Sequence, residues 1–353
     1  YLLAGLGLTI IGIPDNSELI VAIGDLGVTL LLFTVGLHLR LKSIVQLEVL
    51  GTGSLHIIIS SIVFGLIGVV VGWDLMTSLL VGVALGFSST VLTAKSLESR
   101  GEINAYHGRV AIGVLIFQDI VAIVLLAVGA GGTISPMAIG LIALLVLRPL
   151  LIRVLEWIGT EELMIVYGLF LALGVGVLFK EVGLDSKLGA LTAGLLLSGH
   201  PLADELYEKL WGLREVFLIG FFLQVGLSGL PPVSQVPLLI LLFALLPVKG
   251  ILFFALFLRF KLTARTAFMS SIALTAYSEF ALIVVSAGVA SGLIPTTVLQ
   301  TLALLVTLSF IVNALLARFV EPIWLLINQS ANEVELDVNH PDHIPSTIGA
   351  THY

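Results

Sequence analysis

The sequence contains no cysteine, which excludes disulfides and thiolate-bound metal or redox centres and removes any clue to redox compartment. Charge is also scarce: Asp, Glu, Lys and Arg make up 11% of the 353 residues, against roughly 25% in a soluble domain. With a formal net charge of −7 there is no basic surface for a nucleic-acid partner. Residues 1–13 lack a basic n-region and a small-residue cleavage site, so they do not read as a signal peptide. They are also too short to span comfortably, as in a chain that begins partway through a longer protein. What the sequence does have is apolarity: 58% of its residues are hydrophobic. The class is an all-α polytopic membrane protein, and its first partner is the lipid bilayer.

Twelve apolar segments are legible, near 1–13, 19–37, 51–73, 75–97, 105–128, 135–157, 162–180, 186–199, 211–229, 236–258, 266–291 and 295–327. Turn residues separate them, including Pro14-Asp15-Asn16, Gly72-Trp73-Asp74, Gly129 to Pro136, Gly229 to Pro232 and Gly292 to Pro295. Residues 1–327 therefore form one transmembrane domain, followed by a polar tail at 328–353. If alternate loops lie on opposite sides, basic residues should collect on one of them. Thirteen of the 16 do, from Arg40 to Arg318, against Lys180 and Lys187 on the other side, with Lys249 inside a span. The rich side is assigned to the cytoplasm, which places the C-terminus there. One further helix upstream would put the true N-terminus outside.

Two segments break their own apolar pattern. Segment four carries Gly86-Phe87-Ser88-Ser89-Thr90 near mid-span, and segment eleven carries Thr275-Ala276-Tyr277-Ser278-Glu279. Helices interrupted at that depth are tolerated where the freed backbone lines a cavity, and transporter sites are often built so. Aligning Ala84-Leu85 with Ala273-Leu274 also brings Ser89 onto Ser278. The two segments are an odd number apart and run oppositely through the membrane, the arrangement of an inverted-topology repeat. Segment five then corresponds to segment twelve.

Segment five holds Gln118 and Asp119 in the middle of an otherwise apolar helix. A carboxylate at mid-depth costs about 2.5–3.5 kcal/mol on insertion scales, so it normally faces a partner, a cation or water. The plain alternative for Asp119 is a structural salt bridge or a packing hydrogen bond. Gln118 can equally bond a neighbouring helix, and Ser88, Ser89 and Thr90 can be small-residue packing. Glu279 can neutralise a helix end. Lys249, two residues after Pro247, either snorkels or pairs with Asp119 or the broken-helix ends. Arg109 lies about 15 Å along the helix from Asp119, and reads as an interface anchor, with a link to the end of a broken helix as the alternative. The histidines His56, His107, His200, His340, His343 and His352 show no metal-ligand spacing and read as structural, interfacial or solvated. Gly129-Ala130-Gly131-Gly132 lacks the context of a phosphate loop. No nucleophile and base assemble into an intramembrane enzyme.

The run Gly108-Arg109 followed by Leu115-Ile116-Phe117-Gln118-Asp119-Ile120 resembles the signature of Kef-type potassium:proton antiporters of the cation:proton antiporter-2 family. Tyr1 to Gly5, Leu31-Leu32-Phe33 to Gly36-Leu37, and Ser88-Ser89-Thr90 fit the same resemblance, which covers nearly the whole chain. It implies an inverted-repeat antiporter fold with two crossed, broken helices, and a thirteen-helix homodimer in which a core domain moves against a dimerisation domain. Tyr1 would correspond to the second helix, and Lys249 to a lysine of the family. Many relatives continue into a cytoplasmic nucleotide-binding regulatory domain, so a regulatory domain or subunit is a possible partner. Two positions depart from the pattern: His38 stands where an acidic residue is common, and Tyr277-Ser278 stand where glycines usually precede Glu-Phe.

The expected mechanism is exchange of potassium for protons, with no cofactor and no enzymatic step. Asp119 binds either ion but not both, and the carrier changes sides only when its charge is cancelled. Gln118, Ser88, Ser89 and Thr90 would line the cation and proton site, with Lys249, Glu279, Ser278 and Tyr277 compensating the broken-helix ends. One carboxylate makes the exchange electroneutral, and its weak field favours potassium over sodium. Sodium:proton exchange, a channel-like potassium pathway and a non-transporting membrane sensor remain alternatives.

Overall fold

The computed structural model describes residues 1–11, 18–38, 46–102, 105–129, 140–141, 143–159, 161–184 and 186–330. Within them the chain forms α1 (Leu2–Ile10), α2 (Glu18–His38), α3 (Leu47–Val71), α4 (Leu75–Gly86), α5 (Thr90–Ser99), α6 (Tyr106–Gly129), α7 (Ala143–Ile158) and α8 (Glu161–Glu181). There follow α9 (Ser186–Leu197), α10 (Pro201–Leu227), a 3-10 turn (Val233–Gln235), α11 (Val236–Ala244), α12 (Leu246–Arg259), α13 (Ala264–Ala273), α14 (Glu279–Ala290) and α15 (Thr296–Ser330). The turn at Pro14-Asp15-Asn16, the basic pair Arg40 and Lys42, most of the turn from Gly129 to Pro136, and the tail beyond Ser330 with its three histidines lie outside the described residues.

Each of the twelve apolar segments contains helix. Six described stretches are long and apolar enough to cross a membrane: Leu19–Leu37, Leu47–Val71, Glu162–Glu181, Pro201–Leu227, Val233–Arg259 and Thr296–Leu326. Shorter apolar helices include α4, α9 and α14. The outward faces match that class. On α3, Leu55, Ile58, Ile62, Leu66 and Val70 are exposed, whereas Thr52, His56 and Ser60 are buried. This inverts the amphipathic helix of a soluble protein, and a soluble monomer rarely exposes so large an apolar patch.

The chain divides into two compact units. The first comprises Tyr1–Lys42, Val121–Gln235 and Leu282–Leu304. Its core joins Leu30 and Phe33 of α2 to Tyr167 and Leu171 of α8, Ala193 and Leu197 of α9, and Leu206 and Leu210 of α10. Glycine allows the closest approach there: a Cβ on Gly194 would collide with the Phe33 carbonyl and lie 3.0 Å from the Gly36 Cα. The start of α10 departs from the sequence reading, which opened that segment at residue 211. Residues from Pro201 mix Asp204, Glu205, Glu208 and Lys209 with buried Ala203, Leu206 and Leu210, so the first turns are amphipathic rather than uniformly apolar.

The second unit comprises Ser43–Ile120, Val236–Ala281 and Leu305–Tyr353. Its core joins Val49 of α3, Val110, Val114 and Leu115 of α6, Phe253 and Phe257 of α12, and Leu274. Helices α3 and α4 turn back on one another at Gly72-Trp73-Asp74. Gly72 adopts the left-handed conformation (φ 93°) that ends α3, and the Trp73 N–H reaches the Gly68 carbonyl at 2.9 Å. Asp74 then caps α4, its carboxylate accepting from the backbone N–H groups of Met76 (2.9 Å) and Thr77 (3.1 Å). A Cβ on Gly82 of α4 would lie 2.7 Å from the Ser61 carbonyl oxygen and 2.9 Å from the Gly65 nitrogen. The segment predicted at 236–258 is divided between α11 and α12 at Leu245, just before Pro247, which has no N–H to continue the ladder.

Two measurements follow from this packing. Gly82→Leu forces α3 from α4 and should cost about 1–3 kcal/mol, as overpacking does, read as a lowered thermal midpoint in detergent. The Thr77 hydroxyl and N–H hold the Asp74 carboxyl below the usual aspartate range. Its cap therefore stabilises fully above about pH 4, and is lost as pH falls through the depressed native value. Asp74→Ala should lower the midpoint at neutral pH and converge on the parent protein in acid.

Candidate functional site

All nine candidate residues fall in the second unit. Segment four is interrupted over Phe87–Ser89 and segment eleven over Leu274–Ser278. In each case a serine opens the next helix. Ser89 Oγ accepts from the Leu92 N–H at 3.2 Å, and Ser278 Oγ accepts from the Phe280 N–H at 3.0 Å. The two breaks lie side by side, joined by an isolated antiparallel bridge between Ser88 and Tyr277. The Ser89 N–H also points to the Ala276 carbonyl at 3.4 Å.

Breaking a helix in an apolar setting frees backbone groups that cost several kcal/mol each if left unpaired. The polar residues of the site satisfy many of them. Gln118 of α6 spans the first break: its Oε1 accepts from the Ser88 N–H at 2.8 Å, and its Nε2 donates to the Gly86 carbonyl at 3.4 Å. At the second break, Ser309 of α15 accepts from the Tyr277 N–H at 3.2 Å and donates to the Val306 carbonyl at 2.8 Å. The register that superposes Ala84-Leu85 on Ala273-Leu274 also superposes Ser88 on Tyr277. Equivalent N–H groups are thus held by the second helix after each break, α6 and α15. Ser309 was not singled out from sequence. The pairing of segments five and twelve pointed to that stretch without selecting the residue.

Lys249 is buried and donates from Nζ to the carbonyls of Phe87 (2.5 Å) and Ala276 (3.3 Å). These carbonyls correspond in the same register and follow the C-terminal ends of α4 and α13, where the peptide dipoles leave partial negative charge. The ammonium also lies 4.9 Å from the centroid of the Tyr277 ring. Of the two partners expected for Lys249, the broken-helix ends are the ones it meets. Tyr277 reaches away from the break, and its hydroxyl donates to the Leu242 carbonyl at 2.9 Å, near the α11–α12 interruption.

Glu279 holds the opposite ends. It is the first residue of α14 and is 2% exposed, and its Oε1 accepts from the Val91 N–H in the first turn of α5 at 3.4 Å. A carboxylate at two helix N-termini complements their partial positive charge as Lys249 complements the two C-termini.

Asp119 is hydrogen-bonded to neither, though the Glu279 carboxylate is near enough to repel its charge. It is 4% exposed, and its Oδ1 and Oδ2 accept from Thr90 Oγ1 at 3.2 and 3.3 Å, at the opening of α5. Among the described residues no basic side chain lies within ion-pairing distance of it. Thr90, Gln118, Asp119, Lys249 and Glu279 thus gather around the paired breaks, while the Ser88 hydroxyl is buried there without a hydrogen-bond partner. Arg109, on the same helix as Gln118 and Asp119, stacks over the Tyr106 ring at 5.6 Å.

An all-helical architecture with an apolar exterior and interrupted helices gathered around buried ionisable groups defines a multi-pass membrane protein. Residues 1–320 match the family described as "Sodium/hydrogen exchanger, transmembrane", and the chain belongs to that family. Over 94% of its length it is 31% identical to the putative cation/proton antiporter YbaL of Escherichia coli (strain K12), covering 66% of that protein. It is 30% identical, over 88% of its length, to the glutathione-regulated potassium-efflux system protein KefC of Salmonella heidelberg (strain SL476), covering 54% of it. The chain thus spans between 54% and 66% of these curated relatives. The fold is like that of the sodium proton antiporter MjNhaP1 from Methanocaldococcus jannaschii, with a TM-score of 0.59 at 18% identity, covering 92% of this chain and 90% of that one.

Removing either backbone clamp should be felt in stability. Gln118→Ala and Lys249→Ala each strand two buried backbone groups, and should cost about 1–3 kcal/mol per group, measured as thermal unfolding of the purified protein in detergent. Lys249→Gln, which retains donors, should recover part of the loss.

Proposed function

We propose that this protein exchanges potassium for protons across a bacterial inner membrane by alternating access, with Asp119 as the group the two ions share. One observation carries the reading: a buried carboxylate whose hydrogen bonds come from a neutral hydroxyl, while the neighbouring lysine is occupied by backbone carbonyls. A charge held so far from water without a fixed counter-charge is cancelled by a mobile one, and both a proton and a monovalent cation qualify. Thr90 Oγ1 supplies a neutral oxygen beside the carboxylate. The Ser88 and Ser89 hydroxyls and the rest of the broken-helix backbone supply further oxygens.

Exchange follows if the carrier moves only when Asp119 is neutral. With one titrating carboxylate, one proton returns for each cation and no net charge crosses. The confinement of every candidate residue to one of two compact units supports a mechanism in which one body carries the site. Potassium rather than sodium is favoured because one carboxylate with neutral oxygens is a weak field that suits the more easily dehydrated ion. The potassium-efflux relatives support the same choice. We further propose that the fold is an inverted repeat with two crossed, broken helices, that the protein is a homodimer with a cytoplasmic C-terminus, and that a regulatory domain or subunit acts on it there.

In proteoliposomes an outward potassium gradient should drive proton uptake, more strongly than sodium does, and clamping the voltage with an ionophore should leave the rate unchanged. Asp119→Asn should abolish the pH change; full retained exchange would defeat the proposal. Potassium flux indifferent to an opposing proton gradient would identify a channel-like pathway instead. Thr90→Val, which deletes the hydroxyl and keeps the shape, should weaken apparent potassium affinity by about tenfold, on the order of 1.4 kcal/mol.

A further inference from the structure

His56 belongs to none of the contacts described so far. It lies on the inner face of α3, fully buried, and neither ring nitrogen makes a well-formed hydrogen bond, although the Lys249 backbone lies close to the ring. Its ring is stacked flat on Phe253, with centroids 3.5 Å apart and 7° between planes. Phe253 is one turn along α12 from Lys249, which approaches the imidazole with its backbone and its ammonium. A neutral imidazole has one donor and one acceptor, and a single backbone contact leaves at least one of them unpaired in an apolar interior, which demands an explanation.

The residue is one of a series. Glu48, Thr52, His56 and Ser60 follow one another at four-residue intervals, which on a helix makes a continuous ridge. Glu48, partly exposed in the first turn of α3, accepts a hydrogen bond from the Tyr106 hydroxyl at 3.0 Å. Thr52 is buried and its hydroxyl also has no partner. Ser60 is buried at the far end, with its Cβ 3.5 Å from where a Cβ of Gly86 would stand, at the last residue before the first break. Beyond Gly86 lies Ser88, whose hydroxyl is buried and unpartnered as well. The orphaned atoms of Thr52, His56 and Ser88 thus form a trail from the half-exposed end of α3 to the break. Groups that reach it include Lys249 from α12, the Tyr106 hydroxyl from α6 at its half-exposed end and Gln118 of α6 at Ser88, while α4 brings no ionisable side chain.

We propose that this ridge is a water-bearing proton path, with His56 as its relay, that delivers protons to the paired breaks. The imidazole accepts a proton at one ring nitrogen from a water on the Thr52 side and releases the proton from the other toward Ser60 and Ser88. Nothing is consumed, and the ring, left as the opposite tautomer, is reset by a half-turn about Cβ–Cγ that brings the N–H back to the exit side. The inference rests on the exchange reading above and adds to it a route by which the proton reaches the breaks from the α3 side.

The test compares two transport modes of the full-length protein in proteoliposomes. Potassium-driven proton movement needs the relay, whereas exchange of radiolabelled rubidium for potassium at equal pH on both sides does not. His56→Phe, which keeps the stack on Phe253, should slow the first at least tenfold and leave the second within about twofold of the parent. His56→Gln, which can hydrogen-bond but cannot pass on a ring proton, should do the same, and imidazole added to the medium should restore part of the rate. Thr52→Val should produce a smaller loss of the same kind. Parent-like proton movement in both His56 variants overturns the relay, as does an equal fall in both modes, which would make His56 a packing residue. A parent protein that moves no protons would defeat the exchange reading itself. In that event the path is judged by hydroxyl-radical labelling of the parent: oxidation at buried His56 supports water along the ridge, and its absence overturns it.

Discussion

Two helices broken inside an apolar protein release main-chain donors and acceptors that no solvent is there to satisfy, and the second unit is organised around supplying them. Gln118 answers for Ser88 and Gly86, Ser309 for Tyr277, Lys249 for Phe87 and Ala276, and Glu279 for Val91. The breaks also answer one another through the Ser88–Tyr277 bridge. The residues that look most chemical in the sequence therefore act first as structural partners of the backbone. The interruption could not persist in such surroundings without them.

This accounting separates the ionisable groups by task. Lys249 and Glu279 complement opposite ends of the interrupted helices, each where the peptide dipoles ask for its sign. Their charges are committed. Asp119, hydrogen-bonded by the Thr90 hydroxyl, is the carboxylate we propose responds to an ion. Pro247 contributes at one remove. It marks the place where α11 gives way to α12, and Lys249 stands two residues beyond it, with the Leu242 carbonyl nearby received by Tyr277.

Much of this was legible in the chain. Apolar runs bounded by Gly, Pro and Asp located the helices because a lipid-facing helix is apolar nearly all round. The same signal failed at the start of α10, where Asp204, Glu205 and Lys209 alternate with buried leucines. It also missed the division at Leu245, since one proline in an apolar run can kink, break or be absorbed. Hydroxyls and glycine near mid-span marked both interruptions, and the cost of burying a carboxylate singled out Asp119. The sequence could not say which partner Lys249 or Gln118 would choose, because that depends on which carbonyls and amides the breaks present. Ser309 was passed over for a similar reason, and His56 was read with the other histidines as structural, interfacial or solvated. A lone serine in such a helix ordinarily bonds its own backbone, and a lone histidine carries no spacing to read.

The register relating the two breaks has one further implication. It superposes Thr90 on Glu279, so the first turn of α5 offers a neutral hydroxyl where the first turn of α14 offers a negative charge. The two interruptions match in register but differ in charge. On the proposed exchange reading, changes of ionic preference are expected to accumulate around α5 and α6, with the α14 half acting as a keel.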